Sequence, residues 1–153
     1  MMKNILILSL ILLLAACSSG QRISESHNTE SETEIIDWSQ YEPEKIAPEE
    51  LLNKLTAGNK IILLDVRGQE DYDILRFENA INLPVWEFNE RFEEIEEYWD
   101  EEIIIYCIRG KMSKSASIAL DYNEFSNVKM LDGGITVWKE LYGEKFLVKE
   151  KKR

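Results

Sequence analysis

Two continuous apolar runs constrain the fold of this chain more than any other feature of its sequence. Residues 61–67 read Ile-Ile-Leu-Leu-Asp-Val-Arg, and residues 103–106 read Ile-Ile-Ile-Tyr. A strand with one solvated face alternates apolar and polar residues, so an unbroken run of this length indicates a strand buried on both faces. Segments with helical signals separate the predicted strands. We therefore predict an α/β fold, an open parallel sheet of about five strands with helices on both faces.

Shorter signals place the other early elements. An edge strand is expected at residues 45–46, and a helix is expected to begin at Pro48 and to end at Gly58. Further strands are expected at residues 80–84 and 128–131, where short apolar segments are bounded by turn residues. Strands and helices thus alternate along the chain, as a parallel sheet requires.

Three helices are predicted beyond residue 85. The first is a long acidic helix over residues 86–99, whose apolar stripe at helical spacing faces the core. The members of that stripe are Phe88, Phe92, Ile95 and Trp99. The second helix is expected to open at Ser113, because a serine hydroxyl suits a helix N-terminus. The third follows the turn Asp132-Gly133-Gly134.

The beginning of the chain has the pattern of a bacterial export signal. An apolar segment at residues 5–14 follows Lys3 and is too short to span a bilayer. The sequence Leu14-Ala15-Ala16-Cys17 resembles the cleavage box of bacterial lipoproteins. We expect residues 1–16 to be a signal peptide and Cys17 to carry lipid. The protein would then be anchored to a bacterial membrane in the cell envelope, on the extracytoplasmic side.

Composition divides the rest of the chain into three parts. Residues 17–40 are rich in Ser, Glu, Thr and Asn, which predicts a flexible acidic tether after the lipidated cysteine. Residues 41–148 form the expected folded domain, and residues 149–153 form a frayed basic tail. The single histidine, His27, lies in the tether, so we predict no Cys–His catalytic pair.

The charge balance limits the partners. The formal net charge is −11. A chain this acidic is repelled by a phosphate backbone, so nucleic acid is excluded as a main partner. Anionic lipid would not attract it electrostatically either, so membrane attachment must come from the lipid on Cys17.

The loop after the second apolar run is the candidate site. Cys107 ends the strand, Gly110 permits a tight turn, and Arg109 and Lys111 place two cations beside the sulfur. In open α/β sheets, ligands bind past the carboxyl ends of the strands, where amides and a helix N-terminus converge on an anion. We therefore predict a thiolate nucleophile. The alternative is a buried, inert cysteine at a strand end.

Asp65 and Arg67 stand at the carboxyl end of the first run. They are expected either to form a buried ion pair that fixes the following loop or to take part in the chemistry. The structural role is the preferred interpretation, because neither residue has a candidate partner base nearby in sequence.

Residues 46–146 resemble a single rhodanese domain. Residues 64–67, Leu-Asp-Val-Arg, are similar to the family's strand-end motif, and residues 80–84, Ala-Ile-Asn-Leu-Pro, are similar to its Ala-x-Asn-Ile/Leu-Pro. Residues 107–113, Cys-Ile-Arg-Gly-Lys-Met-Ser, resemble its active loop. The chain departs from the family at residues 75–77, which are often Gly-His-Ile there. It also departs at Met112, where the family often has arginine.

The resemblance implies a sulfurtransferase. Cys107 would take sulfane sulfur from a small anionic donor such as thiosulfate and pass the persulfide sulfur to cyanide, a small thiol or a protein thiol. The expected substrate-binding residues are those of the active loop: Ile108, Arg109, Gly110, Lys111, Met112 and Ser113. No metal and no organic cofactor is expected.

Two other interpretations remain open. Related domains include phosphatases and arsenate reductases, but their loops usually run one residue longer and end in an arginine that clamps a tetrahedral anion. The chain has Met112 and Ser113 at this point. The third interpretation is a tethered persulfide carrier, or a sulfur- or redox-responsive binding module without turnover.

Overall fold

The computed structural model describes residues 38–150. The predicted signal peptide, Cys17, His27 and most of the predicted tether lie outside these residues. The described chain begins with a 3-10 turn at Trp38–Gln40. Between residues 38 and 150, no helix has the length and apolar character needed to cross a membrane.

A five-stranded parallel sheet forms the centre of the structure. The strands of residues 38–150 are β1 (Lys45–Ile46), β2 (Ile62–Asp65), β3 (Arg76–Phe77), β4 (Ile81–Asn82), β5 (Ile103–Tyr106), β6 (Val128–Leu131) and β7 (Leu147–Val148). The order across the main sheet is β1-β6-β5-β2-β4, and every neighbouring pair is parallel. The predicted open parallel sheet is confirmed, with the two apolar runs as neighbouring strands β2 and β5.

Helices cover both faces of this sheet. They are α1 (Pro48–Ala57), α2 (Gln69–Ile74), α3 (Phe88–Arg91), α4 (Lys111–Tyr122) and α5 (Gly134–Tyr142). Helix α1 ends at Gly58, which has a φ of +71° and closes the helix as predicted.

The position of β5 between two cores explains why its sequence is apolar throughout. Its side chains alternate between the two faces of the sheet. Ile104 and Tyr106 pack in the core that contains Trp138 of α5. Ile103 and Ile105 pack in the opposite core, together with helix α4. Each fully buried isoleucine stabilises the fold by about 2 kcal/mol.

The prediction of one acidic helix over residues 86–99 is wrong. The segment consists of short turns: Val85–Glu87, α3, Phe92–Glu94 and Glu96–Tyr98. Arg91 binds Glu87 and Glu94 and also donates to the main-chain oxygen of Asn82 in β4, 3.0 Å away, which draws the segment toward the sheet. The many glutamates three and four residues apart also repel one another in a regular helix.

The predicted apolar stripe of that segment is only partly buried. Phe88 and Ile95 are buried and Phe92 is half-buried, whereas Trp99 is 57% exposed. The stripe is lost at its end because the helical period does not continue through residue 99.

The structure contains a second, two-stranded sheet that the sequence did not predict. Strands β3 and β7 pair antiparallel, with Arg76 opposite Val148. Beyond β7, Lys149 forms an ion pair with Glu144, and the Glu150 amide donates to the Asp73 carbonyl over 2.9 Å. Ordered contacts therefore extend two residues into the segment expected to be a frayed tail.

Candidate active site in the loop after β5

The candidate site lies at the carboxyl end of β5, where Cys107 follows the strand directly. The Gly110 amide donates a hydrogen bond to the Cys107 Sγ over 3.1 Å. Gly110 has a φ of +98° and precedes helix α4, so a residue without a Cβ forms the sharp turn. Cys107 is a free thiol with only 1% of its surface exposed. The sulfur is thus buried beneath the loop, yet it keeps a polar contact with the loop's backbone.

Helix α5 fixes the orientation of this loop. The amides of Ile135 and Thr136 donate to the carbonyl oxygens of Cys107 and Ile108, over 2.9 and 3.2 Å. In a trans peptide the carbonyl and the following amide point in opposite directions. The amides of Ile108 and Arg109 therefore point away from α5.

The N-terminus of α4 presents further donors. The helix begins at Lys111, so the prediction that it opens at Ser113 is wrong by two residues. A Gly110 turn starts it, and no side chain caps its first turn. The helix spans 12 residues, and its N-terminal amides favour a negative charge beside them.

The Ser113 hydroxyl lies inside this first turn. Ser113 is fully buried, and its Oγ has no hydrogen-bond partner within the described chain. A buried hydroxyl without a partner is costly, so such a group often marks a position where a ligand completes the hydrogen bonding.

The other loop residues point to two different surroundings. Arg109 and Lys111 are exposed and line a cavity of about 220 Å³ toward β1 and β6. Ile108 is exposed and lines a separate cavity of about 450 Å³ toward α2 and α5. Met112 is half-buried and packs against the core that contains Cys107.

Asp65 and Arg67 form the buried ion pair that the preferred interpretation expects. The Arg67 Nε and Nη2 donate to the Asp65 carboxylate over 2.9 and 2.5 Å, and Nη2 also donates to the Leu75 carbonyl over 2.7 Å. Burial opposes the charge of Arg67, but the hydrogen bond and negative charge of Asp65 raise the pKa of the guanidinium. The pair ties the loop after β2 to the same end of the sheet as Cys107.

Two neighbours complete this ion-pair cluster. The side-chain Nδ2 of Asn82 donates to the main-chain carbonyls of Asp65 and Arg67, over 3.0 and 2.9 Å. The Tyr106 ring lies 5.7 Å from the Arg67 guanidinium. Burial and the nearby Asp65 carboxylate raise the pKa of the Tyr106 hydroxyl, so this tyrosine stays neutral. The cluster supports the loop and offers no free base.

Comparison with known proteins decides the family. The model of the rhodanese-like domain family matches residues 47–141. The chain belongs to the rhodanese-like domain family.

Relatives of this rhodanese domain include much longer proteins. The tRNA uridine(34) hydroxylase of Buchnera aphidicola subsp. Baizongia pistaciae is 34% identical over 88 residues, 55% of this chain and 28% of the relative. The protein of the same name from Wigglesworthia glossinidia brevipalpis is 33% identical over 106 residues, 63% of this chain and 34% of the relative. The chain thus spans about a third or less of these relatives.

Solved structures share the fold. A rhodanese-related protein from Thermoplasma volcanium has a TM-score of 0.57 and 26% identity, over 65% of this chain and 93% of that one. The thiosulfate sulfurtransferase of Pseudomonas aeruginosa has a TM-score of 0.61 and 24% identity, over 70% of this chain and 20% of that one. The second likeness is evidence of a common fold only.

Some residues of the rhodanese site are missing from the sequence prediction. Ile135 and Thr136 hold the loop through their amides, and backbone contacts of this kind leave no mark on side-chain identity. The consecutive glycines Gly133 and Gly134, with φ of +70° and +61°, were the available signal, but the sequence indicates only a helix start there.

No metal site is built from the described residues. Across residues 38–150, no group of three or more His, Cys, Asp or Glu side chains is placed to hold a metal ion. The chemistry available at the loop is that of one sulfur atom beside backbone donors, a buried hydroxyl and two exposed cations.

Proposed function

We propose that this rhodanese domain is a sulfurtransferase that carries sulfane sulfur as a persulfide on Cys107. The Cys107 thiolate attacks the outer sulfur of a donor such as thiosulfate, and the donor's S–S bond breaks. Sulfite leaves with the bonding electron pair. An acceptor nucleophile then attacks the outer sulfur of the persulfide and releases the Cys107 thiolate. The two displacements restore the enzyme without a metal or an organic cofactor.

One observation carries this proposal: the Cys107 Sγ accepts the Gly110 amide at the uncapped start of α4. A persulfide extends the side chain by one sulfur atom, which bears the negative charge. The amides of the first turn and the unpartnered Ser113 hydroxyl are the donors that would stabilise that charge. In this role Ser113 donates to the terminal sulfur.

Arg109 and Lys111 supply the charge that attracts the donor. Both side chains are exposed, so they act by drawing an anion to the loop and by stabilising the sulfite that leaves. Attraction between exposed charges is screened by salt. The rate constant kcat/KM for thiosulfate should therefore fall as ionic strength rises.

Steady-state kinetics with thiosulfate and cyanide test the proposal. A double displacement gives parallel double-reciprocal lines when both substrates are varied. The Cys107→Ser variant should lose the activity while keeping the fold, because the two side chains differ by one atom. Wild-type activity in Cys107→Ser would overturn the proposal, and so would activity confined to an artificial phosphate ester.

The burial of Cys107 supports a second candidate, a persulfide carrier without turnover of small donors. The thiol exposes 1% of its surface, which limits its access to free small donors and favours a docked protein persulfide as the source of sulfur. In this case Cys107 would accept sulfur from a protein persulfide, and thiosulfate would give no turnover with cyanide.

The hydroxylation named for the tRNA relatives belongs to proteins much longer than this chain. The matched segment is a quarter to a third of those proteins. The net charge of −11 also opposes binding to a phosphate backbone.

We infer that the domain works at a membrane surface, anchored by lipid on Cys17 and exposed to the extracytoplasmic side. The inference rests on the Leu-Ala-Ala-Cys sequence that ends the apolar segment. Labelled palmitate should enter the full-length protein, and Cys17→Ala should abolish both labelling and recovery in the membrane fraction. Equal membrane recovery of the two proteins would contradict the anchor.

A further inference from the structure

Two cavities adjoin the active loop and differ in charge. The smaller, about 220 Å³, contains the cations Arg109 and Lys111 together with Lys45 and Lys114. Lys114 pairs with Glu42 over 3.1 Å, and Lys45 lies 3.9 Å from Asp132. Arg109 and Lys111 have no ion-pair partner within residues 38–150, so this cavity retains positive charge. It is complementary to a small dianion.

The larger cavity, about 450 Å³, is lined mainly by apolar surface. Its apolar lining comes from Ile74, Leu75, Ile108 and Ile135. Ile74 is 69% exposed and Ile108 is 41% exposed, so both present apolar surface that a ligand would cover. The volume falls in the range of small-molecule sites.

The charged residues of the larger cavity do not suit an anion. They are Arg67, Asp71, Lys139 and Glu140. The Asp65 carboxylate forms an ion pair with Arg67 and neutralises its charge. In the lining, the carboxylates of Asp71 and Glu140 then outnumber the single ammonium group of Lys139, which favours a positively charged ligand over a negatively charged one.

We propose that the larger cavity binds the organic body of the sulfur acceptor, an aliphatic thiol that carries an ammonium group. The proposal rests on the sulfurtransferase function above. The carbon chain would pack against Ile74 and Ile108, with the ammonium near Asp71 and Glu140, while the anionic donor uses the smaller cavity. The acceptor loses its thiol proton to solvent, and its sulfur then attacks the terminal sulfur of the persulfide. The Cys107 thiolate leaves, and the product is an organic persulfide.

A double displacement makes this assignment testable, because each substrate meets the enzyme in a separate half-reaction. The value of kcat/KM for an acceptor reports that half-reaction alone. Cyanide is too small to fill the cavity and serves as the reference acceptor. Cysteamine and 3-mercaptopropionate have similar size and opposite charge.

The deciding variants are Ile74→Ser and Glu140→Gln, with Leu141→Ser as the matched control. Leu141 lies beside Glu140 on α5, is 58% exposed and does not line the cavity. In Ile74→Ser, the ratio of kcat/KM for cysteamine to that for cyanide should fall about fivefold. In Glu140→Gln, the ratio of kcat/KM for cysteamine to that for 3-mercaptopropionate should fall about threefold. Leu141→Ser should leave both ratios unchanged.

The outcomes separate the two proposals. If the wild type transfers sulfur to cyanide but Ile74→Ser matches Leu141→Ser in both ratios, the cavity assignment is overturned and the sulfurtransferase function stands. A wild-type preference for 3-mercaptopropionate would also overturn the assignment. If neither cyanide nor any thiol accepts sulfur from the wild type, the sulfurtransferase function itself fails. Thermal unfolding of each variant shows whether the fold is retained.

Discussion

The backbone of Gly134 lies directly against the carbonyl oxygen of Cys107. A Cβ on Gly134 would collide with that oxygen and would lie 2.7 Å from the carbonyl oxygen of Ile108. Gly134 also has a φ of +61°, a conformation that side chains disfavour. The next two amides, of Ile135 and Thr136, donate to the same two oxygens. The start of α5 therefore sets the position of the active loop.

Replacing Gly134 with alanine should damage both stability and activity. The collision forces the loop away from α5, and the positive φ adds strain, so we expect the free energy of unfolding to fall by about 3 kcal/mol. Sulfur transfer should fall about tenfold or more, because small displacements at a reacting centre are costly. Urea unfolding and steady-state rates measure the two effects.

Gly143→Ala is the matched control for that variant. Gly143 has the same φ of +61°, but nothing lies within 4 Å of its would-be Cβ. Only the backbone strain remains, about 2 kcal/mol because a ψ of −132° gives Gly143 a conformation that other residues rarely adopt, and the activity should be retained. Equal losses of activity in the two variants would show that the contact with Cys107 is unimportant.

The Asp65–Arg67 pair predicts an asymmetric response to mutation. Asp65→Asn leaves the guanidinium buried without its counter-charge, which should lower the free energy of unfolding by about 3 kcal/mol. The exposed Lys149–Glu144 pair offers a comparison, because Glu144→Gln should change stability little. Similar effects of the two substitutions in urea unfolding would contradict the buried role.

Glu102 predicts a pH dependence of stability. Burial opposes its charge, but hydrogen bonds from Lys54 at 3.0 Å and Lys129 at 3.2 Å lower the pKa of Glu102 below its ordinary value. The unfolded chain therefore binds a proton on Glu102 at higher pH than the folded chain does. This contribution to stability is present above about pH 4.5 and is lost as the pH falls through the folded pKa.

Comparing the wild type with Glu102→Gln isolates this contribution. Urea unfolding at several pH values between about 3 and 7 should show the wild type more stable by about 1 kcal/mol at neutral pH, with the difference shrinking at the acidic end. Two profiles that stay parallel across this range would contradict the lowered pKa of Glu102.

Local signals in the sequence were enough to predict the centre of the fold. The apolar runs that became β2 and β5 need burial on both faces, and only a sheet covered by helices provides it. The Asp65–Arg67 pair was predictable because the two residues lie two apart at a strand end. Gly58 closed α1 because the left-handed conformation is local as well.

Features that depend on distant contacts were not predictable. The acidic segment is not one helix, because Arg91 donates a hydrogen bond to the main-chain oxygen of Asn82 in β4. The helical spacing of the apolar residues gives no sign of this contact with a strand. Strands β3 and β7 have two residues each and pair across the chain, so neither has a pattern of its own. Helix α5 positions the active loop through hydrogen bonds from backbone amides, and the only sign of these contacts in the sequence is the pair of glycines before them.

The central claim is that Cys107 carries a persulfide, and intact-protein mass spectrometry tests it most directly. Brief incubation of the wild type with thiosulfate, followed by removal of the donor, should add the mass of one sulfur atom, with peptide mapping placing it on Cys107. Cyanide should remove that mass and form thiocyanate. An unchanged mass, or the same added mass on the Cys107→Ser variant, would contradict the account.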